Sequence, residues 1–275
     1  MRKDNPIHLS YFSNAAVSGC KTTSGTDCIE TLHNSLSVGT SHTISHANFI
    51  LTSSYFGSTG GAISLNGGLN KASTSLEVSH STFTECYATE GAGIYVNGIS
   101  SIKVSSSLFY NCGNISTERG GGICMRSVSS HYIIDNHFVS LRSSYDAGAL
   151  LFSECTQNYK SLTVNNNRFL LCKCSGTEGS SGGAVEAWSN ACPRFGNCLF
   201  SQCSGIGGGS LWLFGVYPSP TLSFSFFHNN TGTSEYGHDC RLADGGGQNV
   251  FLHCFSETHY SPRVSPPGHD NDWLL

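Results

Sequence analysis

Short segments in which apolar and polar residues alternate recur along the chain. Residues 75–79, 101–105 and 161–164 have the period of two residues that marks a strand with one buried face. Other segments, such as those that begin at Ile94 and Leu211, are short and rich in β-branched or aromatic residues. No stretch has the sustained apolar period of about 3.6 residues that an amphipathic helix requires. The pattern therefore predicts an all-β chain of short strands joined by turns of Ser, Gly and Asn.

Two short motifs alternate along the chain, each about thirty residues from its next copy. The first is a Gly- or Ala-rich triplet before an apolar strand, with predicted turn glycines Gly61, Gly93, Gly122, Gly148, Gly183 and Gly209. The second is a phenylalanine that recurs at Phe49, Phe83, Phe109, Phe138, Phe169, Phe200 and Phe227. A small polar or thiol residue follows it by three positions at Cys86, Cys112, Cys172, Cys203 and Asn230. We expect equivalent residues to stack into ladders, with glycine where the chain turns tightly.

A repeat of about thirty residues limits the architecture. The framework of leucine-rich repeats is missing, and a propeller blade needs about 40–50 residues. Short strands in a repeat of this length fit a parallel β-helix, in which each repeat is one turn of a solenoid. We therefore predict a single-stranded parallel β-helix of about eight coils over residues 1–255, with a weak first coil in 1–48 and clear repeats in 49–245. The proline-rich residues 256–275 are predicted to form a tail or a cap on the last coil.

Composition and charge limit the partners. Charged residues make up 12 % of the chain and the formal net charge is −4, which argues against a nucleic-acid-binding protein because such a domain is basic. The N-terminal residues lack the apolar stretch of a secretory signal. No apolar run approaches the roughly 18 residues of a membrane span. We therefore expect either an intracellular, cytoplasmic chain or a piece of a longer secreted product.

The two motifs resemble the GGA[ILV] and FxxN repeats of chlamydial polymorphic membrane proteins and of related right-handed β-helix proteins of parasitic protists. The first motif matches closely at residues 60–63 and 182–185, and loosely at 91–94 and 120–123. The second matches strictly only from Phe227 to Asn230, and Cys replaces Asn at Cys86, Cys112, Cys172 and Cys203. The resemblance implies a right-handed, pectin lyase-like fold and a non-enzymatic adhesin-like or scaffold role at the cell surface or after secretion. The implied partner is a host-cell or matrix protein or a glycan.

Two sets of repeated side chains have both a functional and a structural interpretation. Four cysteines lie on adjacent coils, Cys86 with Cys112 and Cys172 with Cys203. The coil spacing allows a disulfide, but buried cysteine also serves as a small apolar side chain, which we favour.

Acidic residues lie just before the glycine turns at Glu90, Glu118, Asp146, Glu178 and Glu235. A stacked row of carboxylates would bind Ca²⁺, although solvated turn carboxylates are favoured, and no cofactor is predicted.

Enzymatic activity is the main alternative to binding. Glycoside hydrolysis, one activity found on parallel β-helices, needs two carboxyl groups about 5–10 Å apart. The acids of this chain are scattered singly, so only a pair across coils, such as Glu186 with Glu154, is left open, and we predict no enzyme activity. A sugar-binding face has the aromatic candidates Tyr95, Trp188, Trp212 and Tyr217, for which packing in the core or a cap is favoured. A degenerate fragment of a repeat family is a third alternative.

Overall fold

The structure is a computed structural model in which every regular element of the described residues is a β-strand. The described residues are 12–13, 16–18, 41–50, 59–67, 74–155, 162–176, 182–188, 193–214, 221–232, 239–243, 250–252, 254–256 and 264–265. Glu178, Glu235 and Tyr217 lie outside them, as does most of the predicted tail at 256–275.

The strands follow one another along the chain. They begin with β1 Phe12–Ser13, β2 Ala16–Ser18, β3 Ser41–Ser45, β4 Asn48–Ile50, β5 Ile63–Asn66, β6 Ser75–Ser79, β7 Thr82–Thr84, β8 Ile94–Asn97, β9 Ser101–Ser105, β10 Leu108–Tyr110, β11 Ile123–Arg126, β12 Ser130–Ile134, β13 His137–Val139 and β14 Arg142–Ser143. They continue with β15 Leu150–Ser153, β16 Leu162–Asn165, β17 Arg168–Leu170, β18 Lys173–Cys174, β19 Val185–Trp188, β20 Arg194–Gly196, β21 Leu199–Ser201, β22 Leu211–Phe214, β23 Thr221–Ser223, β24 Phe226–His228, β25 Cys240–Ala243, β26 Val250–Leu252, β27 Phe255–Ser256 and β28 Val264–Ser265.

The strands form three long parallel sheets and one short parallel pair. The first sheet has the order β1-β3-β6-β9-β12-β16-β20-β23-β26, the second β2-β4-β7-β10-β13-β17-β21-β24-β27 and the third β28-β25-β22-β19-β15-β11-β8-β5, while β14 pairs with β18. Each strand pairs with its counterpart one repeat further along, as Ser101 of β9 pairs with Ser130 of β12. The chain is therefore a β-solenoid, which confirms the all-β fold and the stacked parallel strands predicted from the repeat spacing. In the predicted tail, Val264–Ser265 extends the third sheet by pairing with β25.

A column of stacked phenylalanine rings runs through the core along the second sheet. The rings from Phe49 to Phe227 each contact the ring one turn away, with centroids 4.5–5.0 Å apart and planes within 14° of parallel. None of these rings is more than 3 % exposed. The separation matches the distance between neighbouring strands, about 4.8 Å, so the register of the second sheet imposes the stack. Aliphatic side chains such as Val104 of the first sheet and Ile94 of the third complete the core.

The residue three positions after each phenylalanine points inward at a corner of the solenoid. This column contains Cys86, Cys112, Leu141, Cys172, Cys203 and Asn230, all buried. The Cys112 thiol donates a hydrogen bond to the Phe83 carbonyl at 3.4 Å, and the Asn230 amide donates to the Phe200 carbonyl at 3.1 Å. Cysteine and asparagine are therefore equivalent here, because each satisfies a buried carbonyl one turn away. The described cysteines of the column are free thiols, without a disulfide between turns.

A second buried ladder, which the sequence analysis missed, lies two positions before each phenylalanine. It contains Ser81, Ser107, Asn136, Asn167, Cys198 and Ser225. The backbone N–H of Ser107 donates to Asn136 Oδ1 at 2.9 Å, and the N–H of Asn136 donates to Asn167 Oδ1 at 2.9 Å. The Ser and Asn side chains accept from the turn before them, whereas the Cys198 thiol donates to the Val164 carbonyl. The ladder thus satisfies backbone groups at the corner between the first and second sheets. The signal was present in the sequence as a Ser or Asn two positions before most of the phenylalanines, with Ala47 and Cys198 as the exceptions.

The predicted turn glycines occupy two neighbouring columns rather than one. Because Ile63 pairs with Ile94, Gly61 aligns with Ala92, and Gly93 belongs to the next column. The positive φ lies one position before the first column, for example at Gly120, where φ is +58°. At Gly183 a Cβ atom would overlap the carbonyl oxygen of Gly209. Close packing between turns, and not a positive φ, is thus what requires glycine at this predicted position.

The phenylalanine stack gives a test of the core. Phe138 is fully buried between the rings of Phe109 and Phe169, at 5.0 and 4.9 Å. Phe138→Ala should lower the free energy of unfolding by about 3–5 kcal/mol, because it leaves a cavity between two rings. Urea titration measures the change, with Tyr132→Ala on the outer face of the first sheet as control. An equal loss in the two variants would contradict the stack as the main apolar contact.

Candidate binding face on the third sheet

The outer face of the third sheet carries a second, small apolar cluster. It contains Tyr95, Cys124, Ala147 and Leu151, and Trp188 packs against it. Tyr95, Cys124 and Leu151 are aligned on adjacent strands and point away from the main core, yet none is more than 7 % exposed. This face is therefore covered along part of its length, whereas an ordinary outward face of a solenoid is open to solvent.

A chain of ion pairs lies against this cluster. Thr59, Glu90, Arg119 and Asp146 are aligned by isolated bridges on four successive turns, just before the third sheet. Arg119 contacts Glu90 Oε1 at 3.2 Å and Asp146 Oδ2 at 2.9 Å. Arg126 contacts the same Glu90 oxygen at 2.6 Å. Positive and negative side chains thus alternate along the axis, which removes the repulsion that stacked like charges would have.

The predicted row of acidic residues is not formed among the described residues. Glu90 and Asp146 share a column, but Arg119 stands between them, and Glu118 is exposed one position earlier. Asp146 is buried rather than solvated. The described part of the chain also contains no group of three or more His, Cys, Asp or Glu side chains arranged to hold a metal ion. The other two candidates, Glu178 and Glu235, lie outside the described residues.

Asp146, a member of this chain of ion pairs, also interacts with a second buried carboxyl group, that of Glu186. The N–H of Ala147 donates to Glu186 Oε2 at 3.3 Å. Burial raises the pKa of Asp146 to about 6, although the Arg119 guanidinium lowers it. Burial and then the charge of Asp146 raise the pKa of Glu186 well above its usual range. Two guanidinium groups balance two carboxylates, so the third carboxyl, that of Glu186, is expected to keep its proton at neutral pH.

The carboxyl partner of Glu186 is not Glu154, the example that the sequence left open. Glu186 is in register with Leu151, and Glu154 lies three positions beyond Leu151 at an exposed corner, where it accepts a hydrogen bond from Ser127 at 3.2 Å. The structure therefore places Asp146, and not Glu154, against Glu186. The sequence does not reveal this pair, because the two residues are forty positions apart on different segments of adjacent turns.

The other polar groups of the cluster are held in their neutral forms. Burial raises the pKa of the Cys124 thiol to about 12 and that of the Tyr95 hydroxyl to about 12. A thiol with this pKa carries almost no thiolate at neutral pH, so Cys124 does not supply a nucleophile. The cluster therefore contributes packing, and its thiol and hydroxyl groups are neutral and shielded from solvent.

Three of the predicted aromatic residues lie on this one face. Tyr95 and Trp212 are 7 % and 8 % exposed, so for these two the packing interpretation describes the structure. Trp188 is in register with Phe214 of the next turn, and both are partly exposed. The Phe214 ring also stacks on Trp212, with centroids 5.5 Å apart and planes 15° from parallel. Phe214 was missed, although the two-residue period of β22 places it on the same face as Trp212.

Comparison with known proteins leaves the face to be interpreted from its own geometry. No protein-family model, no curated protein and no solved structure matches the chain. Within the described residues, no helix is long and apolar enough to cross a membrane.

Glu186→Gln tests the buried carboxyl pair through the pH dependence of stability. The folded-state pKa lies above the unfolded value of about 4.3, so the folded protein keeps a proton that the unfolded chain has lost. Wild-type stability therefore falls as the pH rises from about 4 towards the folded pKa. Glutamine does not titrate, so the free energy of unfolding of the variant minus that of the wild type should be larger at about pH 8 than at about pH 4.5.

Urea titrations at the two pH values measure this difference. Glu154→Gln, the same substitution at the exposed carboxyl, is the control. A difference for Glu186→Gln that stays constant between the two pH values would show that Glu186 does not hold a proton in the folded state.

Proposed function

We propose that the chain is a non-enzymatic, adhesin-like binding module that holds glycans on the outer face of the third sheet. The alignment of Trp188 with Phe214 carries the proposal. Arg126 lies in the same column, two turns before Trp188. Aromatic and Arg side chains contribute most of the energy at binding interfaces. Flat rings beside charged donors fit the apolar faces and the hydroxyl groups of sugars.

The proposal includes a surface role, as the resemblance to polymorphic membrane proteins implies, and a right-handed winding of about eight coils. Crossovers between parallel strands of one sheet are right-handed in about 98 % of cases, because twisted strands pack back onto the sheet in that sense. The regular column of phenylalanines supports one continuous solenoid. An experimental crystal structure would test the winding directly, and left-handed turns would overturn this part of the proposal.

A carbohydrate-active enzyme is the second candidate, and the Asp146 and Glu186 carboxyl groups favour it. A raised pKa is what a general acid needs near neutral pH. Their burial opposes it, since Asp146 is 5 % and Glu186 is 1 % exposed, and catalytic carboxyl groups must flank the scissile bond. Polysaccharide products formed by the wild type and lost in Asp146→Asn would replace the binding proposal with an enzymatic one.

Phe214→Ser tests the binding face. A glycan array with the wild-type protein identifies the ligand, and titration calorimetry then gives its dissociation constant. The variant should bind about ten-fold more weakly, because it removes an exposed aromatic ring that is aligned with Trp188. Tyr132→Ser is the matched control, since Tyr132 is 37 % and Phe214 39 % exposed and they lie on different sheets. The proposal fails if no glycan binds or if the two variants weaken binding equally.

A further inference from the structure

Exposed basic residues lie side by side on the second sheet and on the short β14–β18 pair, and none of them forms an ion pair among the described residues. His137 of β13 is in register with Arg168 of β17, and Arg142 of β14 is in register with Lys173 of β18. All four are exposed. The ion pairs of the described residues involve Lys103, Arg119 and Arg126, and none of these four side chains. Arg142 and Lys173 are like charges in register on adjacent strands and repel each other, and Arg168 forms no ion pair in the described part of the chain. An anion bound at this surface would therefore be attracted by positive charges that have no acidic partner there.

The exposed basic residues at this surface do not reflect a net positive charge of the whole chain. The chain has 18 acidic and 14 basic residues, yet no acid of the described part pairs with His137, Arg168, Arg142 or Lys173. Elsewhere the same chain places opposite charges next to each other, as with Glu90 and Arg119. Arg168, Arg142 and Lys173 are therefore exposed positive charges that have no ion pair within the described part of the chain.

A groove runs along the solenoid beside His137 and Arg168. It has a volume of about 420 Å³ and lies at the corner between the first and second sheets, within the size range of ligand sites. Its walls come from three successive turns and include His80, Thr82, Ser106, Leu108, Asp135 and His137. Most of these are hydroxyl, imidazole or carboxyl groups, so the groove offers hydrogen bonds along its length.

Arg168 extends the groove by one turn. Thr82, Leu108 and His137 occupy one column of the second sheet, and Arg168 follows His137 in that column. From Thr82 to Arg168 the column spans three strand spacings, roughly 14 Å. At the other end, the His80 ring stacks on His46 with centroids 5.0 Å apart. The site is thus an elongated polar groove with a flat imidazole pair at one end and a guanidinium at the other.

We propose that this groove binds an acidic oligosaccharide along the solenoid axis, with a carboxylate of the sugar chain on Arg168. A guanidinium holds a carboxylate through two parallel hydrogen bonds. The hydroxyl groups of the sugar donate to Asp135 and exchange hydrogen bonds with Thr82 and Ser106. This site is separate from the glycan face of the third sheet, and it does not rest on the function proposed for that face.

The carboxylate of Asp135 favours an acidic sugar over a nucleic acid as the ligand of the groove. A carboxylate in the wall of the groove repels a closely spaced phosphate backbone, whereas it accepts hydrogen bonds from sugar hydroxyl groups. Nucleic-acid binding also depends on neutralising many phosphates, and this surface provides Arg168, Arg142 and Lys173 as its permanent cations. An acidic sugar carries both the hydroxyl groups and the isolated negative charges that the groove can match.

The experiment compares a glucuronic acid oligosaccharide with the glucose oligosaccharide of the same length and linkage. Titration calorimetry at low ionic strength gives the dissociation constant of each for the wild type, Arg168→Ser and Arg194→Ser. Arg194 is the matched control, because it is also exposed but lies on the first sheet. We expect Arg168→Ser to bind the acidic oligosaccharide about ten-fold more weakly and Arg194→Ser to bind it as the wild type does.

Each outcome decides the proposal. Loss of acidic-sugar binding in Arg168→Ser, with binding of the neutral sugar unchanged, supports it. Unchanged binding in Arg168→Ser, an equal loss in Arg194→Ser or no binding of the acidic sugar by the wild type overturns it. Variants of Phe214 report separately on the third sheet, so the two sites succeed or fail independently. Circular dichroism of each variant confirms that it remains folded.

Discussion

Hydrogen bonding between the parallel strands of successive turns places each side chain about one strand spacing, roughly 4.8 Å, from its counterpart in the next repeat. The phenylalanine rings of the second sheet follow this spacing, with centroids 4.5–5.0 Å apart. Every column of the solenoid is subject to the same constraint. A residue type is tolerated at a given position only if it can lie against its neighbours along the axis.

Polar atoms at the corners are satisfied along the same axis. A corner interrupts the strands, and backbone groups buried there need partners. The thiol of Cys112 and the amide of Asn230 each donate to a carbonyl one turn away, whereas Asn136 accepts from the backbone of Ser107. The equivalence of Cys and Asn explains how a motif that resembles FxxN keeps its geometry when cysteine replaces asparagine.

Like charges in one column repel each other, and the charged columns of this chain differ in whether opposite charges separate them. Beside the third sheet, Arg119 separates Glu90 from Asp146, so the column alternates in sign. On the second sheet, His137 and Arg168 lie in register with no acid between them. The first arrangement is complete within the protein, whereas the second leaves Arg168 exposed for the anion that we propose binds there. With 12 % charged residues, few columns face this problem.

The repeat spacing and the period of two residues were sufficient to predict the all-β class, the parallel stacking and the column of phenylalanines. The all-β class and the parallel stacking depend on residue type at a regular interval, and the phenylalanine in each repeat itself marks the register of the second sheet. The candidate sites depended on register. Strand starts are 35 residues apart from Leu150 to Val185 but 26 from Val185 to Leu211, so counting along the chain cannot align charged residues near the turns. Only the tertiary structure aligned Arg119 with Asp146, because the hydrogen bonds between turns, and not the spacing in sequence, determine which side chains meet.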